Sequence, residues 1–592
     1  MTDTATQISP TSSAPRWDDL DVLTHWLQAL KEAVSSRDGG AIADLFQDDA
    51  TARDLLVTEW DFRNAVGREE LSGFFLTDDT SAVDSLTPRP VNRLFPGQEN
   101  GRRTLGAFLK FTTGRGAGEG YVRLVEGPDG AWTASSLALS LSSLDSHPER
   151  VGERRPDGRT HGPILDRVGW AEQLDHEFTR EDPTVVVLGA GHNGLMLAAR
   201  LRSLGIRSLI VERNQRVGDN WRKRYSTLAL HTPIVSDQLP YIPFPPTWTR
   251  FTPKDKLADF LECYATLLDL PVWTGTTASN VHHDQAQGRW LLDVVRPDGS
   301  RRSLNVKHLV FATGMNGEPA MPDLPGADEF LGTVMHAVDY RGHQPWIGKR
   351  AVVVGAGVSG HDLSQDLAEH GVDVTMIQRS PTYVMNTSSF HAVMHANHVA
   401  GTYTADEADL VNATIPFGDL PRFGPGQVAA AKAMDKELLE RLAAAGFELS
   451  DGPDGQGVLG LIFGHNTTGY YYNAGASELI ADGTIGLRHG SVTGLDRDGV
   501  VLDDGSTVPA DLVVMAVGYR GPGTAAREVL GEEIADQLGE FAAVGPDREY
   551  GRLFRRSGIE GLWFMISLGI DSGRFYSKLL ALQIAAAEAG EL

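Results

Sequence analysis

Two glycine patterns constrain the fold of this chain more than any other feature. The spacing G-x-G-x-x-G occurs at residues 189–194 and again at residues 355–360. An apolar, β-branched run precedes each pattern, at residues 184–188 and 350–354, and a helical stretch follows it. A strand, a glycine turn and a helix in this order open a βαβ unit, so the sequence predicts an α/β fold with two doubly wound parallel sheets.

The glycines of such a turn have separate roles in binding a dinucleotide. The first permits a tight turn, the second lets the backbone approach a pyrophosphate, and the third lets the helix pack closely on the strand. The N-terminus of the helix offers free N–H groups to the phosphates. We therefore expect two Rossmann-like dinucleotide-binding domains. One uses Gly189, Gly191 and Gly194, and the other uses Gly355, Gly357, Ser359 and Gly360.

The strand that follows each helix ends differently. A short strand predicted at residues 208–211 leads to Glu212, whose carboxylate can accept both hydroxyls of a ribose, as in FAD or NAD. The strand predicted at residues 373–377 leads instead to Arg379 and Ser380, and an arginine there favours a 2′-phosphate. The first nucleotide is therefore predicted to have a free 2′-hydroxyl and the second to be NADPH. The alternative for Arg379 is a solvated surface charge.

Composition limits what two nucleotides can do together. Cys263 is the only cysteine among 592 residues, which excludes the cysteine pair of a disulfide reductase and favours a cytoplasmic protein. A net charge of −25 argues against nucleic acid and an anionic membrane surface as partners. No apolar run is long enough to span a bilayer, and the Ser/Thr-rich residues 1–15 are not expected to act as a secretion signal. What remains is a flavin that NADPH reduces and that passes electrons to oxygen or another acceptor.

A third motif lies between the two glycine patterns. Phe330, Gly332, His336 and Tyr340 follow the spacing F-x-G-x-x-x-H-x-x-x-Y. This resembles the motif of class B flavoprotein monooxygenases, and the chain is most similar to flavin-containing monooxygenases and plant YUCCA-type enzymes. The resemblance covers about residues 180–592, with further matching segments at residues 218–221, 228–233, 311–314, 511–519 and 573–578.

The resemblance implies an enzyme that uses FAD and NADPH and activates O2 as a C4a-(hydro)peroxyflavin to oxygenate a small organic molecule. Baeyer–Villiger members usually carry Trp at the last motif position, so Tyr340 favours oxygenation at N or S. Three alternatives stay open: Baeyer–Villiger oxidation, YUCCA-like oxidative decarboxylation of a carbonyl substrate, and an uncoupled NADPH oxidase.

The resemblance also suggests which side chains lie near the cofactors. His336 and Tyr340 fall where the FAD and NADP domains meet, and His231 lies in a segment that passes near the flavin in relatives. Together with Asn473, a pocket candidate, they form the predicted catalytic set. Further cofactor-binding candidates are Trp221, Thr232, Gln238, Thr313 and Gly314. For His336 and Trp221 the alternative is a structural role in the core.

Residues 386–461 look like an inserted helical region, and three histidines there are spaced for one helical face. His391, His395 and His398 stand at i, i+4 and i+7, and zinc sites use histidines at such spacing. The sequence shows no carboxylate partner for them. We therefore expect no metal and place these histidines along the substrate channel.

Periodicity and resemblance together divide the chain. Residues 1–145 show helical periodicity followed by alternation, which predicts a small α+β domain similar to the NTF2-like (SnoaL-like) fold. Residues 146–179 form a linker. The FAD domain is expected to be discontinuous, at 180–345 and 510–592, around an NADP domain at 346–509. The N-terminal domain is expected to handle substrate or to pair with a second copy in a homodimer.

Overall fold

A computed structural model describes residues 17–76, 83–158, 162–539 and 542–592. These residues form an N-terminal α+β domain, two domains built on parallel sheets, and a helical region inserted into the second of these. Within this described part of the chain, no helix is both long and apolar enough to cross a bilayer.

The N-terminal domain packs helices α1 (Trp17–Ser35), α2 (Gly39–Asp44) and α3 (Gly67–Phe74) against one curved sheet. Its strands are β1 (Phe46–Leu55), β2 (Phe62–Val66), β3 (Ser85–Pro88), β4 (Leu94–Glu99), β5 (Arg102–Thr113), β6 (Gly116–Glu126) and β7 (Trp132–Leu144). The sheet order is β2-β1-β7-β6-β5-β3, with β4 on β5. The β1–β7 pair is parallel and the other pairs are antiparallel. Apolar side chains of α1, such as Leu23 and Trp26, fill the core against this sheet.

The first parallel sheet holds the first glycine pattern. After a linker helix α4 (Trp170–Asp175), its strands are β8 (Val185–Leu188), β9 (Ser208–Val211), β10 (Val272–Trp273), β14 (His308–Phe311) and β25 (Leu562–Phe564). They run in the order β10-β9-β8-β14-β25, and all of them except β10 are buried along their whole length. Helices α5 (His192–Ser203), α6 (Asp219–Arg222), α7 (Lys254–Leu267) and the C-terminal helix (Ile570–Ala589) belong to this domain. An antiparallel sheet of β11 (Thr277–Asp284), β12 (Arg289–Val295) and β13 (Arg301–Val306) covers it.

The second parallel sheet holds the second glycine pattern. Its strands are β15 (Thr333–His336), β16 (Arg350–Val354), β17 (Asp373–Gln378), β20 (Ile485–His489) and β24 (Leu512–Met515), in the order β15-β24-β16-β17-β20. Helix α8 (Val358–Ala368) follows the glycine turn. Because β15 and β24 pair with this sheet, it extends beyond the 346–509 range expected from the sequence at both ends. The chain therefore crosses between the two domains after β14 and again after β24.

Further elements complete the second domain and the return to the first. They are α15 (Ala476–Ala481), β21 (Val492–Leu495), β22 (Gly499–Leu502), β23 (Thr507–Pro509), α16 (Gly523–Leu530) and α17 (Glu532–Leu538). The C-terminal helix named above is α18.

The helical insertion lies between β18 (Tyr383–Asn386) and β19 (Tyr470–Asn473), which pair in parallel. Its helices are α9 (Thr387–Met394), α10 (Ala396–Val399), α11 (Ala405–Asn412), α12 (Gly424–Met434), α13 (Lys436–Ala444) and α14 (Gly457–Leu459). The expectation of one continuous helical face for His391, His395 and His398 is wrong. His395 separates α9 from α10, and its backbone (φ −114, ψ 21) is not helical.

The N-terminal domain is docked on the rest of the protein through buried polar contacts. Arg53 on β1 is 1% exposed and forms an ion pair with Glu549, which is equally buried. Its guanidinium also donates to the carbonyl oxygen of Ala413 at 2.8 Å, and Thr51 donates to that of Thr414 at 3.1 Å. Removing either member of a buried ion pair strands the other charge, so this interface ties the domain firmly to the insertion and the C-terminal segment.

Candidate active site

The first glycine turn connects β8 to α5 and has the close contacts that its glycines predict. Gly189 has φ +110, and a Cβ there would lie 2.6 Å from the carbonyl oxygen of Ala312. A Cβ on Gly194 would lie 2.0 Å from the carbonyl oxygen of Gly189. Gly191 is different, because a Cβ there would meet only Asn220 Nδ2, at 3.8 Å. The backbone at Gly191 thus borders open space at the start of a helix, which fits the approach of a pyrophosphate.

Glu212 is fixed beside this turn at the end of β9. It is 8% exposed, and one carboxylate oxygen accepts a hydrogen bond from the backbone N–H of Ala190 at 2.7 Å. The other oxygen accepts from the backbone and side-chain N–H groups of Asn214, at 2.7 and 2.8 Å. A carboxylate held in this way lies where the ribose hydroxyls of a nucleotide would need acceptors.

Buried donors around the first turn also fit a bound cofactor. In the described part of the chain, both ring nitrogens of His192 and Nε1 of Trp221 are buried without a hydrogen-bond partner. Burial lowers the pKa of His192 to about 4, so the ring is neutral near pH 7. Because unpaired buried polar groups are costly, their collection here fits a ligand that carries hydrogen-bonding atoms, as FAD does.

The second glycine turn repeats the geometry of the first. Gly355 has φ +115, and a Cβ there would lie 2.5 Å from the carbonyl oxygen of Ala516. A Cβ on Gly360 would lie 1.9 Å from the carbonyl oxygen of Gly355, whereas one on Gly357 would meet only Tyr470 O, at 4.0 Å. Ser359 is half-buried in the first turn of α8. The turn therefore presents a second cradle of the same shape.

The strand end beside the second turn differs from that beside the first. Gln378 at the end of β17 is buried, and its amide forms a pair of hydrogen bonds with the backbone of Glu448, at 2.8 and 2.9 Å. Arg379 and Ser380 follow it and are exposed. Within the described ranges, no hydrogen bond or ion pair engages the Arg379 side chain, so its charge is available to a phosphate.

Loops after β14 and β24 close the two turns in the same manner. Ala312, Thr313 and Gly314 follow β14 beside the first turn, and Gly314 has φ +87. His336 holds the corresponding loop of the second domain: its Nε2 donates to the carbonyl oxygen of Gly518 at 3.0 Å, and its Nδ1 accepts from the N–H of Val338 at 3.1 Å. Burial lowers the pKa of His336. Both nitrogens are used by backbone groups, so His336 positions a loop.

Tyr340 and His231 contact helix α8 at two acids that sequence reasoning missed. Tyr340 is 1% exposed and donates to Asp366 at 2.6 Å, and Thr227 donates to the same carboxylate at 2.8 Å. One turn earlier on α8, Asp362 lies 3.1 Å from His231 Nε2. Asp362 also accepts a hydrogen bond from the hydroxyl of Tyr225 at 2.8 Å.

We name this set the α8 latch: Tyr225, Thr227, His231, Tyr340, Asp362 and Asp366. Tyr225, Thr227 and His231 join the first domain to the helix that starts at the second glycine turn, and Tyr340, which follows β15, bonds the same helix from within the second domain. The i, i+4 spacing of the two aspartates was visible in the sequence, but their partners come from two distant segments.

The remaining predicted residues separate into one cavity residue and two structural ones. Thr232 lines the main cavity and donates to Asp237 at 2.6 Å. Burial raises the pKa of Asp237 to about 7. The Gln238 amide donates a hydrogen bond to the carbonyl oxygen of Ile234 and accepts one from the backbone N–H of Phe244. Asn473 accepts from the N–H groups of residues 475 and 477 at the start of α15, which favours a structural role.

The main cavity has a volume of about 990 Å³ and is bounded by three parts of the chain. Residues of the N-terminal sheet form one wall, the helical insertion forms the second, and the segment around the start of α18 forms the third. Thr232 and Met315 of the first domain also line the cavity. Its aromatic lining includes Tyr121, Phe390, Phe417, Tyr472, Phe554 and Tyr576.

Comparison with known proteins identifies relatives of the two-turn region. A family model described as pyridine nucleotide-disulphide oxidoreductase matches residues 183–400, which contain both glycine turns. Indole-3-pyruvate monooxygenase YUCCA1 of Oryza sativa subsp. japonica is 32% identical over 344 residues, covering 57% of this chain and 77% of the relative. A probable indole-3-pyruvate monooxygenase, YUCCA8 of Arabidopsis thaliana, is 30% identical over 344 residues, covering 57% and 74%.

Solved structures show the same fold at lower identity. OTEMO in complex with FAD and NADP is 15% identical and superposes with a TM-score of 0.51. The match covers 69% of this chain and 87% of that one. Cyclohexanone monooxygenase with bound ε-caprolactone is also 15% identical, with a TM-score of 0.50 over 69% and 88%. Since Cys263 is the sole cysteine of the sequence, the chain has no internal disulfide to reduce. The expectation of two Rossmann-like domains in one chain is confirmed.

Proposed function

The chain belongs to the class B flavoprotein monooxygenases, which use FAD and NADPH, and we propose that it oxygenates a bulky, largely apolar small molecule at a nitrogen or sulfur atom. The observation that carries the substrate class is the cavity of about 990 Å³ with its aromatic lining. This volume lies at the upper end of the range of roughly 300–1,000 Å³ for small-molecule sites. Tyr340 stands at the motif position where Baeyer–Villiger members usually carry Trp, which supports oxygenation at nitrogen or sulfur.

We propose that the two turns divide the cofactors between them. Glu212 would hold the ribose of FAD, and the backbone at Gly191 would approach its pyrophosphate. Gly357 would serve NADPH in the same way, and Arg379 would pair with its 2′-phosphate. The neutral His192 ring and the Trp221 indole N–H would donate to the flavin nucleotide. FAD, once bound and reduced, supplies the oxygen-activating chemistry.

The protein would contribute orientation and exclusion of water. The α8 latch would keep the second glycine turn at a fixed distance from the first domain, so that the two cofactors meet in one geometry. His336, whose pKa is lowered by burial, would hold the loop at Gly518 through its Nε2 proton. The aromatic wall of the cavity would displace water from the reacting atoms.

Product identification tests the proposed reaction. Purified enzyme with FAD would be supplied with NADPH, O2 and a panel of hydrophobic amines, sulfides, ketones and 2-oxo acids. We expect an N-oxide or S-oxide, with about one NADPH consumed per product and little hydrogen peroxide. Peroxide in place of product with every substrate would contradict the proposal and favour the uncoupled oxidase.

A second candidate reaction is the oxidative decarboxylation of a 2-oxo acid. The curated relatives at 30% identity or more are named indole-3-pyruvate monooxygenases, which supports this candidate. Arg102 lies among the residues around the cavity and would offer a cation to a carboxylate, whereas Arg123 there is paired with Glu99 at 3.0 Å. Release of CO2 from an aromatic 2-oxo acid, with no oxide from amines or sulfides, would select this candidate over the first.

We propose that the N-terminal domain, expected to be NTF2-like, completes the substrate cavity. Ser136 on β7 is 6% exposed and lines the cavity, together with Tyr121 of the neighbouring strand. Deleting residues 1–170 would also uncover Glu549, the partner of Arg53, so a point substitution is the cleaner test.

Ser136→Trp should narrow the cavity while the cofactor sites stay intact. We expect a loss of about tenfold or more in kcat/KM for a bulky substrate and an unchanged rate of flavin reduction by NADPH. Lys110→Trp, at an exposed position of β5 in the same sheet, is the matched control. Equal product formation by both variants would contradict a role of this domain in the cavity.

A further inference from the structure

A cluster of side chains on the cavity wall has no part in the proposed reaction. One ring nitrogen each of His395 and His398 and a carboxylate oxygen of Asp571 lie within 4.8 Å of one another. His395 lies between α9 and α10, His398 on α10, and Asp571 in the first turn of α18. Distant segments thus bring two imidazoles and one carboxylate together, and His395 and Asp571 also line the cavity.

Both histidines of the cluster carry an unpaired nitrogen. His395 is 8% exposed and His398 is 4% exposed, and among the described residues Nδ1 of each is buried with no hydrogen-bond partner. Buried polar atoms are normally paired, so one unpaired nitrogen on each ring of this cluster calls for a ligand to explain it. An imidazole nitrogen without a proton offers its lone pair to a metal ion.

A second carboxylate fixes the orientation of His398. Its Nε2 lies 3.0 Å from an oxygen of Asp409, which makes Nε2 the donor and leaves Nδ1 with the lone pair. Asp409 is held in turn by Arg574, whose Nε and Nη2 donate at 2.8 and 2.7 Å. A carboxylate behind a ligating histidine is the usual second layer of a metal site.

From these contacts we propose that His395, His398 and Asp571 bind one divalent transition-metal ion of the zinc class. Two neutral imidazole nitrogens and one carboxylate match the donor set of open zinc sites and suit Mg²⁺ and Ca²⁺ poorly, since those ions prefer oxygen ligands. Three protein ligands leave a coordination position for water or another donor, and the position of the cluster on the wall turns it toward the cavity.

His391, which the sequence pattern groups with these histidines, is not a ligand of this site. Its Nε2 lies 2.8 Å from the carbonyl oxygen of His231, and its Nδ1 lies 3.3 Å from the guanidinium of Arg250. The helix breaks at His395, and His395 and His398, but not His391, belong to the cluster with Asp571. The acid that the sequence did not reveal is Asp571, which stands 173 positions after His398 (571 − 398).

Calorimetric titration of the full-length, FAD-loaded protein tests the site. After treatment with a chelator, the protein would be titrated with Zn²⁺, and we expect one ion per chain. His395→Ala and Asp571→Asn should each weaken this binding by about 100-fold or more, because each removes a direct ligand. His282→Ala, at an exposed position of β11, removes a histidine outside the cluster and should leave it unchanged.

Two further readouts separate loss of the site from loss of the fold. Zn²⁺ should raise the Tm of the wild type and of His282→Ala but not of the ligand variants, whose FAD content should match the wild type. Co²⁺ should give visible bands at wavelengths beyond those of the flavin in the wild type alone. Zinc binding by the wild type no tighter than by His395→Ala and Asp571→Asn, or the absence of cobalt bands, would overturn the proposal. Product formation is not needed for either readout, so this proposal can fail independently of the proposed function.

Discussion

The two glycine turns are nearly the same structure with different chemistry at their edges. In the first, a Cβ on the leading glycine would lie 2.6 Å from the carbonyl oxygen of Ala312; in the second, it would lie 2.5 Å from that of Ala516. The strand ends differ, because Glu212 is buried and hydrogen-bonded at one turn, whereas Arg379 is exposed at the other. The backbone therefore provides two equal cradles for a pyrophosphate, and one side chain beside each is proposed to select the nucleotide.

The largest effects should come from adding a single methyl group to the middle glycine of each turn. Gly191 (φ −73) and Gly357 (φ −89) have backbone angles that alanine adopts, and a Cβ on either would meet no protein atom closer than 3.8 Å. Gly191→Ala should therefore fold but lose FAD affinity by about 100-fold, or about 2.7 kcal/mol. Gly357→Ala should keep FAD and lose NADPH affinity to a similar extent. Flavin content after dialysis and the Kd of NADP⁺ measure both.

Each of these variants serves as the control for the other. The proposed assignment of one cofactor to each turn is contradicted if Gly357→Ala loses FAD, or if Gly191→Ala keeps FAD but fails to bind NADP⁺. Either result would show that the two turns do not divide the cofactors as proposed.

An intermediate effect is expected at the strand end of the second turn. Arg379→Ala should raise the KM for NADPH by about 30-fold, or about 2 kcal/mol, because it removes the cation opposite the 2′-phosphate. The KM for NADH, which has no such phosphate, should change little. Steady-state oxidation of both nucleotides gives the ratio. Arg301→Ala, at an exposed position of β13, is the control. An equal rise in KM for NADPH and NADH in Arg379→Ala would mean that Arg379 does not contact the 2′-phosphate.

The smallest effect should come from the α8 latch, where Tyr340 shares the Asp366 carboxylate with Thr227 of the first domain. Tyr340→Phe removes the 2.6 Å hydrogen bond to Asp366 while Thr227 still donates to that carboxylate. We expect the free energy of unfolding to fall by about 1 kcal/mol and flavin reduction by NADPH to slow by a few-fold, with both cofactor affinities kept. Stopped-flow absorbance and urea unfolding measure the two quantities.

Tyr225→Phe, which weakens the hydrogen bonding of Asp362 instead, should behave in the same way. A change in stability without any change in the reduction rate would restrict the latch to a purely structural role.

The sequence predicted local features of this fold well. Strands expected at residues 208–211 and 350–354 are found at Ser208–Val211 and Arg350–Val354, because a buried strand, a glycine turn and a helix are specified by neighbouring residues. The use of FAD and NADPH and the assignment to the monooxygenase class are confirmed by the relatives. These conclusions depended on short motifs with fixed spacing.

Features that depend on tertiary contacts could not be predicted. Tyr225, Thr227 and His231 lie more than 100 positions before the aspartates that they contact. Asp571 reaches the histidines of the insertion only because α18 packs beside it. The place of β15 and β24 in the second sheet likewise follows from pairing between distant segments. The sequence also could not reveal that the N-terminal domain forms a cavity wall, since its lining residues are ordinary strand residues.

A crystal structure of the FAD-loaded enzyme soaked with NADP⁺ would show directly which turn holds which cofactor. We expect the ribose hydroxyls of FAD within hydrogen-bond distance of Glu212, and the 2′-phosphate of NADP⁺ against the guanidinium of Arg379 beside residues 355–360. An FAD ribose that makes no contact with Glu212, or an NADP⁺ whose pyrophosphate lies away from the second turn, would contradict this expectation.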